Sequence, residues 1–319
     1  MKIGLDMMGG DYAPSEAAKG IRKYLENNSA PAHLVLTGIQ EQVLSCLDNE
    51  GIDPSAYTLV HASQVIDMHE HPTKALKEKQ DSSIAIGFHL LATGKTDAFI
   101  SAGNTGAMMV GSLFSIKPIE GVLRPSIGAF MPRENGKNGW LMDVGLNADC
   151  KPENLLQFAI LGSLFVQQVW NIAQPRVALV NIGEEEGKGN LLTQAAYPLL
   201  KNSDKIHFVG NVEGRDIFLD KADVMVCEGF TGNVILKLAE SFYDLTQRHD
   251  AKDPFFQRFN FEQYGGVPVL GINKPVIIGH GISGEEAFCN MIQMAEKIIQ
   301  SELMDKIKAS FLTAGPAEG

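Results

Sequence analysis

Five short segments carry most of the chemistry open to this chain. They are Asp6-Met7-Met8-Gly9-Gly10-Asp11, SAGNTGA (101–107), NIGEEEGKGN (181–190), EGFTGN (228–233) and GHGISG (279–284). Glycines let the backbone approach a ligand closely, and successive N–H groups in such turns can cradle an oxyanion. One such loop is usually plain turn chemistry. Five in one chain, each after a strand-like run, point to a shared anion pocket at strand ends. Gly103-Asn104-Thr105-Gly106 opens a helical pattern, where free N–H groups favour an anion and Thr105 adds a hydroxyl. Thr231-Gly232-Asn233 repeats that arrangement, with Lys237 further along the same helix face. The plainer reading of both is a pair of N-caps. Lys188, between Gly187 and Gly189, can reach a small anion unhindered or serve as a solvated surface lysine. Asp6 and Asp11 flank Gly9-Gly10 and can orient a cation or a loop amide, or cap a helix.

Other patterns lack a needed partner. The 279–284 segment spells GxGxxG, yet no second strand with an acidic residue about 20 positions on follows it, so a dinucleotide site is rejected. A phosphate-sized nest with His280 at its rim remains, alongside a structural turn. The 181–190 loop is one residue short of a P-loop and has Gly after Lys188 and three glutamates, which argues against ATP. His69-Glu70-His71 lacks the spacing of a helical zinc site, so no metal is expected. Cys150 has no histidine adjacent in sequence to activate it.

The elements positioning these loops read as an α/β protein. Strands are expected at 2–6, 33–37, 58–61, 98–101, 127–131, 140–144, 176–181, 205–209, 223–227 and 276–279. Helices are expected at 14–27, 83–93, 105–115, 152–170, 190–201, 233–248 and 285–304. This alternation is that of a mostly parallel sheet with helices on both faces. The Asn-Gly signals in 132–139 predict a hairpin or loop. No linker divides the chain, so 1–312 is read as one continuous unit, with 249–264 as a short excursion and 313–319 as a frayed tail. Within that excursion Phe255, Phe256, Phe259 and Phe261 surround Arg258, a pattern for a core, an interface or a membrane contact. The 27 Lys+Arg against 38 Asp+Glu give a net charge of −11, which repels a nucleic-acid backbone. The four cysteines without CxxC spacing fit a reducing cytoplasm. Asp6 interrupts any leader-like core, and the apolar stretch 155–169 is too short and polar to span a bilayer.

In this order, the segments GLDMMGGD (4–11), ISAGNTGAMM (100–109), DVGLNADCKPENLLQFA (143–159), VALVNIGEEEGKGN (177–190), DVMVCEGFTGNVILK (223–237) and YGGVPVLGINKPVIIGHG (264–281) resemble the bacterial PlsX family, the acyl-acyl-carrier-protein:phosphate acyltransferases of phospholipid synthesis. The resemblance implies the isopropylmalate/isocitrate-dehydrogenase-like α/β fold shared with phosphotransacetylases, a cytoplasmic homodimer and no cofactor. It also implies attack of orthophosphate on an acyl-carrier-protein thioester. On the matched positions, Ser101, Gly103, Asn104, Thr105 and Gly106 hold phosphate, with Gly9, Gly10, Asp11, Asn181, Glu184, Gly232 and Lys237 as further substrate contacts. Lys188 offsets negative charge, while Asn233, Thr231 and His280 line the reacting carbonyl, and Asn147 and Asp149 order their loop. Arg215, Arg248, Lys252 and Arg258 are candidates for the acidic carrier. The excursion is shorter than the helical hairpin of some relatives, so a peripheral contact at the inner membrane face would fall to the phenylalanines, Phe255 and Phe256 among them. The segment 75–79 also has fewer arginines than is usual in relatives. The competing readings are phosphotransacetylase-like transfer from acyl-CoA, an NAD- and metal-dependent decarboxylating dehydrogenase of the same fold, and a non-catalytic anion binder.

Overall fold

The computed structural model describes residues 1–250 and 253–312. Lys252 and the 313–319 tail lie outside the described residues. In chain order the strands and helices are β1 (Lys2–Asp6), α1 (Ser15–Asn27), β2 (His33–Gly38), α2 (Gln40–Asn49), β3 (Tyr57–His61), α3 (Pro72–Glu78), α4 (Ser83–Ala92), β4 (Ala98–Ser101), α5 (Thr105–Gly111), β5 (Ser126–Pro132), β6 (Asn138–Met142) and α6 (Pro152–Val169). There follow β7 (Arg176–Val180), α7 (Leu191–Lys201), β8 (His207–Val212), β9 (Val224–Val226), α8 (Gly229–Arg248), α9 (Pro254–Gln257), β10 (Gly266–Leu270), β11 (Val276–Gly279), α10 (Glu285–Gln300) and α11 (Leu303–Leu312).

The chain forms two compact units. The first comprises Met1–Pro118 and Phe261–Gln300; the second comprises Ile119–Asn260 and the chain from Ser301 onward. In the first, the strand order is β3-β2-β1-β4-β11-β10. Its strands are parallel except β10, which is antiparallel to β11. Every residue of β4 and β11 is buried, so both faces of these strands are covered, as a parallel sheet requires. In α10, Phe288, Met291, Ile292, Ala295 and Ile298 are buried, the recurrence that puts one apolar stripe against a sheet. In the second unit the order is β5-β6-β9-β7-β8, parallel but for β5 against β6. Its core stacks Trp140 on Phe165 with centroids 4.1 Å apart.

The expected hairpin at 132–139 is present, closing with Pro132 opposite Asn138. Several boundaries differ from expectation for physical reasons. β10 is not among the expected strands; despite Gly266 and Pro268, whose strand propensity is weak, it pairs with β11 at Val267↔Ile278. β8 runs on to Val212, because Asn211 and Val212 continue the ladder to β7 across a register shift. The helix expected at 285–304 ends at Gln300, where Glu302 takes φ 54°, and α11 follows as a separate helix. The helix expected at 105–115 becomes a π-helical turn from Ser112 to Ile116. Helices outside the expected ranges are α2, α3 with Pro72 in its first turn, and the short α9.

Candidate active site

In the first unit β1, β4 and β11 lie side by side and parallel, so their exit loops gather at one end, the usual ligand side of such sheets. Asp6 ends β1 and is buried. Ser101, ending β4, donates its hydroxyl to Asp6 Oδ2 at 2.7 Å and accepts the Gly103 N–H at 2.9 Å. The Met8 N–H donates to Asp6 Oδ1 at 2.9 Å. Burial pushes the Asp6 carboxyl above its ordinary value, against opposing hydrogen bonds from Ser101, Ser83, Met8 and Gly9. Gly9 is needed for this approach, since a Cβ there would lie 2.6 Å from Gly103 N and 2.8 Å from Ser101 Oγ. Gly10 takes φ 104°, a left-handed conformation suited to glycine. The exposed Asp11 donates its N–H to Gly281 O at 2.7 Å, joining the loop that carries His280. The His280 ring lies against Phe261, with centroids 4.7 Å apart.

The Asn104 side chain is engaged in holding structure. Its Oδ1 accepts the Ala107 N–H at 2.9 Å, and its Nδ2 donates to the carbonyls of Asp67 (2.9 Å), Met68 (3.3 Å) and Glu70 (3.0 Å). The backbone N–H groups of Asn104, Thr105 and Gly106 have no acceptor among the described residues. Thr105 is exposed. What this loop offers an anion is therefore main-chain donors and the Thr105 hydroxyl.

In the second unit β6, β9 and β7 are likewise adjacent and parallel. After β6, the fully buried Asp143 accepts the N–H groups of Gly145 and Leu146 on Oδ1, both at 2.8 Å. Its Oδ2 accepts from Asn147, from N at 3.1 Å and from Nδ2 at 2.6 Å. Burial raises its carboxyl above the ordinary value, opposed by these hydrogen bonds. The sequence reading did not single out Asp143. Its signal is the one that marks Asp6: an aspartate at a strand exit with glycine just beyond. Asp149 is exposed, and its carbonyl accepts from Arg124 Nη1 at 2.8 Å.

Thr231-Gly232-Asn233 is not a turn ahead of a helix. α8 begins at Gly229, and the side chain of Glu228 caps it, accepting the Thr231 N–H at 2.9 Å and the Thr231 hydroxyl. A Cβ on Gly232 would lie 1.8 Å from Asp143 O, so only glycine permits this contact. The exposed Asn233 donates Nδ2 to Val144 O at 3.1 Å. Lys237 is paired with Glu240 at 2.7 Å.

The loop after β7 is held by Asn181, whose Nδ2 donates to Lys188 O at 3.1 Å. Two of its three glutamates are paired with other lysines, Glu184 with Lys221 at 2.6 Å and Glu186 with Lys201 at 2.9 Å. Lys188 itself is exposed and makes no ion pair among the described residues. Burial pushes the Cys150 thiol up to about 11 and the Cys227 thiol well above its ordinary value, so both are protonated at neutral pH and poor nucleophiles. Among the described residues no group of three His, Cys, Asp or Glu side chains is placed to hold a metal ion.

The docking candidates fall apart into separate environments. Arg215 is exposed beside Glu213 at 2.9 Å, and Arg248 is exposed at the end of α8. Arg258 donates to Arg133 O at 2.7 Å, Lys137 O at 2.6 Å and Asn138 Oδ1 at 2.8 Å, which pins it to the β5–β6 turn. Phe255 and Phe256 are half-buried and pack edge-on against each other and against Phe259 and Phe242. No helix among the described residues is long and apolar enough to cross a membrane.

The profile of a family described as "Fatty acid synthesis protein" matches residues 1–249. The chain is 41% identical to a phosphate acyltransferase of Dictyoglomus turgidum, with 96% of each chain covered. It is 43% identical to one of Syntrophomonas wolfei, covering 96% of this chain and 97% of that one. Among solved structures, a phosphotransacetylase from Streptococcus pyogenes superposes with a TM-score of 0.64 at 19% identity, over 94% of both chains, a likeness of fold. By this match across most of its length, and by relatives aligned nearly end to end, the chain belongs to the fatty acid synthesis protein family, the PlsX family that its loops resemble.

Proposed function

We propose that this enzyme moves a long-chain acyl group from the thioester of an acyl-carrier protein to orthophosphate. A phosphate oxygen bonds to the thioester carbonyl carbon, the C–S bond breaks, and acyl phosphate and the carrier thiol are released. The observation that carries the reading is the near end-to-end alignment with relatives named phosphate acyltransferase. The site chemistry agrees with it. Phosphate is itself the attacking group, so no enzyme nucleophile is required, and both thiols near the second unit's loops are held protonated. The leaving thiol, with a pKa of about 8.5 when free, needs little acid assistance. In the first unit the amides of Asn104, Thr105 and Gly106 with the Thr105 hydroxyl are the donors for phosphate, and in the second unit Lys188 is the positive charge for the tetrahedral intermediate. Asn233 acts on the reacting carbonyl. Positioning and charge stabilisation then supply most of the acceleration.

Mixing the protein with acyl-carrier thioester, with and without phosphate, and counting the thiol released tests this directly. Release that requires phosphate is expected, and phosphate-independent release or none rejects the reading. Adding short acyl-CoA esters as competitors separates it from phosphotransacetylase-like transfer, for which the shared fold alone is no argument. We further propose a cytoplasmic homodimer. The exposed Phe230, Val234 and Leu238 along α8 supply apolar surface for self-association, and sedimentation equilibrium would report the mass.

A further inference from the structure

We infer that Asp143 is the positioning residue of the second unit, setting the place of Asn233 and of the start of α8 through the loop it folds. The inference rests on the acyl-transfer reading above. Its basis is a chain of contacts. Four N–H donors, from Gly145, Leu146 and twice from Asn147, converge on the two carboxylate oxygens at 2.6–3.1 Å. An ionised carboxylate offers acceptors only and has room for four such donors.

The loop so folded turns two of its carbonyls toward α8. Asn147 O accepts the Gly229 N–H at 2.7 Å, at the first residue of the helix. Val144 O accepts Asn233 Nδ2 at 3.1 Å, fixing the amide assigned to the reacting carbonyl. Asn147 also donates Nδ2 to Pro125 O at 2.8 Å, which ties the loop back to the segment before β5. Gly145 takes φ 135°, and a Cβ there would lie 3.0 Å from Asn233 Nδ2, so loop and amide are fitted to each other. None of these contacts puts the Asp143 side chain on a substrate. It is fully buried and acts through its neighbours.

Asp143→Asn keeps one acceptor oxygen and turns the other into an NH2 group that faces N–H donors in either flip. The loop must then shift, and a misplacement on the scale of 1 Å costs rate more than binding. Phosphate-dependent thiol release should show kcat lowered at least ~30-fold, with KM for the acyl-carrier thioester within about threefold of wild type. Amide hydrogen exchange should quicken at Gly145, Leu146 and Asn147. A purely structural carboxylate would lower the melting temperature and leave kcat of the folded protein unchanged, so kcat within threefold of wild type overturns the inference.

If Asp143→Asn does not fold, Asp143→Glu replaces it. This variant keeps charge and acceptors but moves them by about one C–C bond, ~1.5 Å, and at least ~10-fold loss in kcat is expected. Failure of both variants to fold also overturns the inference, in favour of a carboxylate needed only for stability. Wild-type protein that releases no thiol with phosphate refutes the acyl-transfer reading itself, an outcome distinct from an active Asp143 variant.

Discussion

The strand-end clusters of the two units are built to the same plan but leave different groups exposed. Each sits at the exits of three adjacent parallel strands, and each has a buried aspartate, Asp6 or Asp143, collecting loop N–H groups. In the first unit that aspartate is bridged to a second loop through Ser101, and the Asn104 amide is bound to three carbonyls. The Ser101 and Asn104 side chains there hold the loops, and what remains for a ligand is main chain and the Thr105 hydroxyl. In the second unit Asp143 folds its own loop, two of the three glutamates around Lys188 are paired with other lysines, and Lys188 and Asn233 stay exposed. The difference lies in what faces outward: main-chain donors with the Thr105 hydroxyl in one unit, and the Lys188 and Asn233 side chains in the other.

The sharpest way to break this comparison is to crowd each cluster in turn. Gly232→Ala would force a Cβ to 1.8 Å from a backbone oxygen, whereas Gly9→Ala meets its nearest atom at 2.6 Å. Urea unfolding should show a loss of about 3 kcal/mol for Gly232→Ala and about 2 kcal/mol for Gly9→Ala. A larger loss for Gly9→Ala would show the first cluster to be the more tightly packed. Next in size, Lys188→Ala should fold normally and lose at least ~100-fold in turnover, about 2.7 kcal/mol of transition-state stabilisation. Turnover near that of wild type would remove side-chain electrostatics from the second unit's part.

The smallest effect contrasts the units by pH. In the second unit Asp223 is buried, which alone would raise its carboxyl. Hydrogen bonds from Arg176 and Arg133 outweigh this and bring it down to about 2 from an ordinary 3.8. With the folded value depressed, its contribution of about 2 kcal/mol is present above pH 3.8 and is lost as pH falls toward 2. Asp6, whose carboxyl is raised, has the opposite sign: folding is favoured less as pH rises through its folded value. Trp140 and Trp170, the two tryptophans of the chain, both lie in the second unit, so their fluorescence reports on it. The stability gap between wild type and Asp223→Asn should shrink below pH 4. A gap unchanged down to pH 2 would deny Asp223 this role.

Much of the architecture was legible locally. The strands at 2–6, 98–101 and 276–279 have the expected ends, because short apolar runs bounded by glycine or polar residues admit few other conformations when buried. The glycine-rich loops were equally legible, since a close approach or a left-handed turn leaves its mark on residue type. β10 was not legible, since Gly266 and Pro268 have weak strand propensity and the strand is set by pairing to β11.

What the residue string determined by itself is the α/β class, the loops at strand exits and the family to which they belong. Only the tertiary structure decided that Glu228 caps α8 through Thr231, that Arg258 is bound to the β5–β6 turn, that Asp143 and Asp6 organise their loops, and that the chain groups into two units joined at residues 118–119, 260–261 and 300–301. The reason is one of range. Backbone conformation follows from neighbouring residues, whereas the partner of a buried polar group is chosen by which distant segment packs beside it.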